Sequence, residues 1–96
     1  MAHRIRDRYG NEIDLTDERW SHIVEGHPEL EEFLDEVLET VRTGRRRQDP
    51  LDPQKYRYTR AFNYLPFGAT HLVVIVKLIR TNFIVTAYTV QRGKRR

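Results

Sequence analysis

Residues 71–90 read HLVVIVKLIRTNFIVTAYTV, and this stretch decides the fold. Its two halves, 71–79 and 83–90, are rich in β-branched and aromatic residues, which predicts two strands. Because only a short polar segment separates them, we expect an antiparallel hairpin. Alternation along the first half leaves one face wholly apolar, so we expect that face to pack on helices.

The turn of this hairpin determines which side chains share the open face. A two-residue turn at Thr81 and Asn82 pairs Lys77 with Thr86. That register predicts a polar patch of Lys77, Thr86 and Tyr88 opposite the helices. An ordinary half-exposed sheet face is the alternative interpretation.

Outside this hairpin the sequence predicts two helices and further strands. Apolar residues spaced three and four apart from Leu30 to Val41 indicate an amphipathic helix that begins at Pro28 and ends at Gly44. Cap and turn signals predict the other elements: a hairpin over 4–15 that turns at Gly10 and Asn11, a helix over 17–25 capped by Thr16, an edge strand over 45–48 and a strand over 55–62. The predicted fold is α+β, with an N-terminal hairpin and two helices on one face of an antiparallel sheet of about four strands.

Length and composition restrict the class of protein. The 96 residues predict one domain, 1–96, with frayed ends at 1–3 and 91–96. The longest apolar run, 72–76, is too short to cross a membrane, and the N-terminus lacks an apolar signal segment. The absence of cysteine excludes disulfides, thiolate metal sites and a cysteine nucleophile. We therefore expect a cytoplasmic protein with no membrane partner.

Charge is strongly polarised along the chain. Residues 9–41 contain eleven acidic residues and one basic residue, whereas residues 42–96 contain thirteen basic and two acidic residues. A basic half in a small domain favours binding of a polyanion, most often nucleic acid. A solvated arginine-rich surface is one alternative. Self-association of the acidic and basic halves, for example as a homodimer, is another.

His27 is the strongest candidate for proton transfer among the four histidines. It lies between the two predicted helices, and Gly26 before it and Pro28 after it restrict its position. An imidazole can accept and return a proton near neutral pH. Helix capping or packing is the alternative role. His22 and His27 are five residues apart, which does not fit the spacing of a helical zinc site, so no metal site is predicted.

Residues 15–30, LTDERWSHIVEGHPEL, resemble the opening of small prokaryotic and phage-associated domains of the barnase–EndoU–colicin–RelE-like (BECR) nuclease group. The pattern is Trp20-x-His22-Ile23 followed by His27-Pro28-Glu29-Leu30. An Arg/Tyr-rich strand, an apolar strand and the closing strand 83–88 follow in the same order, so the resemblance spans about 13–92. It implies a RelE-like domain whose open sheet face binds RNA. It also implies a ribonuclease without metal or other cofactor, acting as a toxin of a toxin–antitoxin or phage-linked system.

The resemblance also implies a mechanism and roles for individual residues. A base removes the proton of a ribose 2′-hydroxyl, that oxygen attacks the adjacent phosphate, and an acid protonates the leaving 5′-oxygen. His27 is the acid/base candidate and His22 the second choice. Arg60 is the candidate for phosphate stabilisation. Arg57 is the alternative, because the sequence does not decide which side chains of the strand over 55–62 lie on the open face.

Two residues of the closing strand complete the implied site. Thr86 and Tyr88 would bond a phosphate or stack on a base. Other expected RNA- or phosphate-binding residues are Lys55, Tyr58, Lys77 and Arg92. The implied partners are RNA and an acidic antitoxin or immunity protein. Nucleic-acid binding without catalysis stays open as an alternative.

Overall fold

A computed structural model describes residues 2–92 of the chain. Within them the strands are β1 (Ala2–Arg6), β2 (Glu12–Thr16), β3 (Arg45–Asp49), β4 (Asp52–Ala61), β5 (His71–Lys77) and β6 (Phe83–Val90). The α-helices are α1 (Asp17–Gly26) and α2 (Leu34–Thr43), and 3₁₀ turns lie at Pro28–Leu30 and Pro66–Gly68. The predicted α+β class is confirmed.

The strands described here form one mixed sheet in the order β1-β2-β6-β5-β4-β3. The sheet has six strands rather than about four, because the N-terminal hairpin joins it through a parallel pairing of β2 with β6. The loop after β1 reaches the opposite edge, where the backbone N–H of Arg46 donates to the Tyr9 hydroxyl at 3.3 Å. The sheet therefore curls around α2, which contacts β1, β4 and β5.

Both helices have the predicted boundaries at one end only. The Thr16 hydroxyl caps α1 by accepting from the backbone N–H of Arg19 at 3.1 Å, as predicted. The predicted second helix is interrupted: Phe33, with φ −116° and ψ 25°, separates the 3₁₀ turn from α2. Gly44 ends α2, also as predicted. A Cβ there would clash with the carbonyl oxygen of Thr40 in the last turn of α2 and lie 2.9 Å from that of Thr59, so only glycine fits where the end of α2 passes β4.

The first hairpin turns through three residues, not through the predicted two-residue turn. The backbone N–H of Asp7 donates to the Asn11 carbonyl at 2.9 Å, so residues 8–10 form the loop, with Gly10 at a φ of 91°. The Asp7 carboxylate accepts the backbone N–H groups of Tyr9 at 2.9 Å and Asn11 at 2.8 Å. These side-chain bonds stabilise a wider loop than the Gly10-Asn11 pair alone requires.

The β5–β6 hairpin also differs from its predicted register. Ile75, not Lys77, pairs with Thr86, and Lys77 pairs with Phe83 beyond a bulge at Ile75 and Val76. The bulge leaves Val85 between the residues that pair with Ile75 and Val76, and beyond it β5 continues along β4, where the backbone N–H of Leu78 donates to Gln54 at 2.7 Å. A shift of two residues keeps Thr86 on its predicted face.

The core lies between the helices and the inner face of the curled sheet. Its fully buried side chains include Ile13, Leu15, Leu30, Val37, Val41, Leu72, Val74 and Val76. No helix in residues 2–92 is both long enough and apolar enough to cross a membrane. Ala2 and His3, which we expected to fray, belong to β1. The same expectation for residues 1 and 93–96 falls outside the described residues.

Candidate nucleic-acid interface

Alternation along the central strands gives the two faces of the sheet different chemistry. Leu72 and Val74 are fully buried against the helices, so the side chains paired with them share that inner face. The residues between them point to the outer, helix-free face. On β3 and β4 that outer face carries, among others, Arg45, Arg47, Lys55, Arg57 and Thr59.

A groove of about 630 Å³ lies on the outer face, and we call it the arginine groove. Its lining consists of Arg45, Arg46, Arg47, Arg57, Arg92 and Tyr88, together with one threonine and two valines. The side chain of Arg46 lies on the inner face, because Arg46 pairs with the buried Tyr58. No acidic residue is among the described lining residues, and Arg45, Arg47, Arg57 and Arg92 supply the charge of the groove. The groove is therefore strongly positive.

Most of these arginines have no acidic partner. Among residues 2–92, only Arg46 of the five has a carboxylate oxygen within 4.0 Å, that of Asp7 at 3.7 Å. Unpaired guanidinium groups in one groove repel each other, and a bound anion relieves that repulsion. A planar guanidinium can also donate two parallel hydrogen bonds to phosphate oxygens.

Aromatic rings fix the Arg46 side chain on the inner face of β3. Its guanidinium carbon lies 4.1 Å from the ring centroid of Tyr9 and 4.6 Å from that of Tyr56. Its Nη1 donates to the Tyr58 hydroxyl at 3.4 Å, and that hydroxyl donates to the Asp7 carboxylate. The contacts hold the edge strand β3 to β4 and to the first loop.

Asp7 is ionised in this cluster although it is buried. Burial raises the pKa of the Asp7 carboxyl, but hydrogen bonds from Tyr58, Asn11 and Tyr9 bring it below its usual value of 3.8. Burial raises the pKa of the Tyr58 phenol well above its usual range, and the bond to Asp7 raises it further. At neutral pH the phenol therefore keeps its proton and donates it to a charged acceptor.

His27 lies beside one wall of the arginine groove. Its ring centroid is 6.4 Å from that of Tyr88, a groove residue, and the planes are inclined by 34°. Its Nδ1 is 3.6 Å from a carboxylate oxygen of Glu29. Its backbone N–H donates to the Ile23 carbonyl at 2.8 Å in the last turn of α1. Pro28 follows directly, and both features restrict the backbone at His27. The side chain is 37% exposed and open to a ligand.

The structure separates the two rival arginines of β4. Arg57 pairs with Ile75 and lines the arginine groove, whereas Arg60 pairs with Leu72 on the inner face. The Nη1 atom of Arg60 is 3.9 Å from a Glu39 carboxylate oxygen. Arg57, not Arg60, therefore shares the groove with Tyr88.

Three other predicted residues lie away from the groove. The prediction that Tyr58 binds RNA is wrong, because its side chain is fully buried on the inner face and its hydroxyl bonds to Asp7. Lys77 is on the outer face, but its Nζ is 2.9 Å from a carboxylate oxygen of Asp52. His22 is 62% exposed on α1, with its Nδ1 3.8 Å from Glu25.

The remaining predicted residues lie on or next to the outer face. Lys55 pairs with Lys77 and Thr86 pairs with Ile75, so both lie outside the groove lining. Arg92 lines the groove, and its backbone N–H donates to the Thr70 hydroxyl at 2.9 Å.

Sequence reasoning did not identify the two arginines of the edge strand, Arg45 and Arg47. The signal was present, because alternation in a strand over 45–48 places both on one face. The Asp7 cluster was missed as well. Its one local signal was Asp7 itself, because an aspartate can accept the backbone N–H groups two and four residues later, here those of Tyr9 and Asn11.

Neither a metal site within the described residues nor a similarity to a known protein was found that would assign a role to the groove. In the part of the chain that the structure describes, no three His, Asp or Glu side chains are grouped so that they could hold a metal ion. No family model, no curated protein and no solved structure matches the chain.

Proposed function

We propose that this protein binds single-stranded RNA in the arginine groove and cleaves it without a metal ion. The observation that carries the proposal is the groove itself, with four outer-face arginines and no acidic side chain among the described lining residues. Lysine and arginine contacts to phosphates release counterions, which supplies much of the affinity for nucleic acid. Tyr88 in the groove wall offers a ring on which a base can stack.

Cleavage uses the RNA's own nucleophile. A base takes the proton of the ribose 2′-hydroxyl, and the oxygen attacks the adjacent phosphorus. The bond from phosphorus to the 5′-oxygen breaks, and an acid gives that oxygen a proton. The products are a 2′,3′-cyclic phosphate and a 5′-hydroxyl. We assign one of the two proton transfers to His27 and the stabilisation of charge on the phosphoryl oxygens to Arg57.

Two observations support this assignment. The His27 ring lies beside Tyr88, and Tyr88 and Arg57 line one groove. The His27-Pro28-Glu29-Leu30 segment also resembles the BECR nuclease motif, and we propose that the α+β domain is of that RelE-like type. A cytoplasmic toxin of this kind needs an inhibitor, and an acidic antitoxin that covers the arginine groove is the partner we propose.

RNA binding without cleavage is the second candidate function. It is favoured by the composition of the groove, because no histidine is among its described lining residues. His27 lies beside the groove rather than in its described lining, and the reaction needs both a base and an acid.

Incubation of labelled single-stranded RNA with the protein in EDTA tests the proposal. We expect wild type to produce cyclic-phosphate ends and His27→Ala to cleave at least about 100-fold more slowly. His3→Ala, which removes an imidazole from β1, is the matched control and should cleave like wild type. Binding that ends without cleavage would favour the second candidate, and RNA that is neither bound nor cut would reject both.

A further inference from the structure

A second depression, which we call the aromatic pocket, lies where β4 leads towards β5. Its volume is about 680 Å³, and its lining includes Arg60, Phe62, Asn63, Tyr64, Thr70 and His71. It differs from the arginine groove because aromatic rings, rather than several cations, dominate its walls.

Tyr64 presents a fixed aromatic surface in this pocket. Its ring stacks on Phe33 with centroids 6.5 Å apart and planes inclined by 19°, and it meets the Phe62 ring nearly edge-on at 5.8 Å. Its hydroxyl donates to Glu36 at 3.1 Å. Even so, Tyr64 is 57% exposed. A ring that is held in place but open to solvent can stack on a base with little loss of side-chain entropy.

Polar groups stand next to this ring. The exposed Asn63 amide can both donate and accept hydrogen bonds, as the edges of bases require. His71 Nδ1 lies 2.8 Å from the Thr70 hydroxyl, which fixes its imidazole. Burial lowers the pKa of His71 and the charge of Arg92 lowers it further, so the ring is neutral at pH 7. A neutral imidazole offers one donor and one acceptor.

The aromatic pocket is continuous with the arginine groove. A depression of about 350 Å³ shares Arg45 and Arg92 with the groove and shares Arg60 and His71 with the aromatic pocket. Arg8 also lines it. Arg8, Arg45 and Arg92 therefore lie between the groove and the aromatic rings, whereas Asp35, Glu36 and Glu39 lie on the far side of Tyr64. The arginines on the groove side favour an anionic strand over an uncharged apolar peptide as the occupant.

We propose that the aromatic pocket binds a nucleobase of the RNA strand whose phosphates lie in the arginine groove. The inference rests on the proposed function, because the groove must hold the backbone. The base stacks on Tyr64, and Asn63 contacts its edge. The phosphates beside it lie towards Arg45 and Arg92 of the connecting depression.

Fluorescence anisotropy with a ladder of 2′-O-methyl RNA oligonucleotides of increasing length tests this inference. These probes lack the attacking hydroxyl, so wild-type protein cannot cleave them by the proposed route. Tyr64→Ala should weaken binding of the longer oligonucleotides about 5- to 150-fold, as the loss of one stacked base predicts, and leave the short ones unaffected. Tyr64→Phe keeps the ring and should bind like wild type.

Phe67→Ala is the matched control, because Phe67 is 90% exposed in the same loop but does not line the pocket. An abasic nucleotide at one position of a long oligonucleotide should reproduce the loss in wild type. The same probe should show no further loss with Tyr64→Ala. In wild-type protein, NMR signals of the Tyr64 and His71 rings should shift with long probes and not with short ones.

The outcomes separate this inference from the proposed function. If Tyr64→Ala binds every length like wild type while Arg57→Gln weakens all of them, the pocket is not a base site but the groove still binds RNA. Equal weakening of short and long probes by Tyr64→Ala, or unmoved ring signals, would also overturn the pocket. If wild type binds no probe, both the inference and the proposed function fail.

Discussion

Replacing Tyr58 by phenylalanine removes one oxygen atom from a buried polar contact. The Tyr58 side chain is fully buried, and its hydroxyl joins the Asp7 carboxylate to the Arg46 guanidinium. Phenylalanine fills nearly the same volume, so the expected loss comes from the hydrogen bonds rather than from packing.

The magnitude follows from the partners that remain. A hydrogen bond to a buried charged group contributes about 1.5–3 kcal/mol. In the variant, Asp7 keeps the hydrogen bonds from the backbone N–H groups of Tyr9 and Asn11, and Arg46 stays 3.7 Å away. The buried carboxylate therefore still has hydrogen-bond donors and a nearby positive charge. We therefore expect Tyr58→Phe to lower the free energy of unfolding by about 2 kcal/mol at pH 7, which corresponds to a Tm lower by roughly 8–16 °C for a domain of this size.

The loss should depend on pH in a defined direction. The folded-state pKa of Asp7 is below its usual value of 3.8, so the ionised carboxylate stabilises the fold above that pH, and this stabilisation is lost as the pH falls through the folded-state pKa. Tyr58→Phe removes one cause of the depression. The difference in unfolding free energy between wild type and variant should therefore shrink as the pH falls below 3.8.

Urea denaturation followed by the fluorescence of Trp20, the single tryptophan, measures both effects. Tyr64→Phe is the control, because it removes the same atom from an exposed hydroxyl that bonds to Glu36, and it should change stability by less than about 0.5 kcal/mol. The reasoning is refuted if the two variants lose equal stability at pH 7. A difference that stays constant into acid would refute the electrostatic part alone.

Two further predictions concern the end of α2 and the outer face. Gly44→Ala would bring a methyl group within 2.9 Å of a β4 carbonyl oxygen and should destabilise the fold by about 1–3 kcal/mol in thermal unfolding, whereas Gly26→Ala, with no atom within 4 Å of the new methyl, should not. Lys77→Gln should weaken RNA binding less than Arg57→Gln does in a salt titration, because the carboxylate of Asp52 already neutralises Lys77.

Local signals predicted the individual elements of this fold well. The strand over 83–90 has the predicted bounds, and the Thr16 cap and the Gly44 helix end are where their side-chain chemistry requires them. Each of these features depends on residues within a few positions of each other. Propensity and capping are sufficient in such cases.

Contacts between distant segments could not be predicted. The parallel pairing of β2 with β6 joins segments that no turn connects, and it determines the strand count. The side-chain orientation along β4 follows from its pairing with β5. It decides that Arg57 lies on the outer face and that Tyr58 is buried.

In the candidate site, too, features that depend on nearby residues could be predicted and features that depend on distant contacts could not. The sequence named His27, Arg57 and Tyr88, and the structure places the first beside the third and the other two along one groove. The sequence alone could not predict the contact between Asp7 and the Tyr58 hydroxyl, because the two residues are 51 positions apart in the chain. Arg45 and Arg47 were within reach, since alternation in a short strand is a local property.

The position of β3 at the end of the sheet gives its arginines a second consequence. An outermost strand has a row of unpaired backbone groups to which another polypeptide can add, and charged side chains discourage such addition. Arg45 and Arg47, whose side chains share the outer face of this edge strand, therefore oppose pairing between copies of the chain. Replacing both by apolar residues would remove that protection.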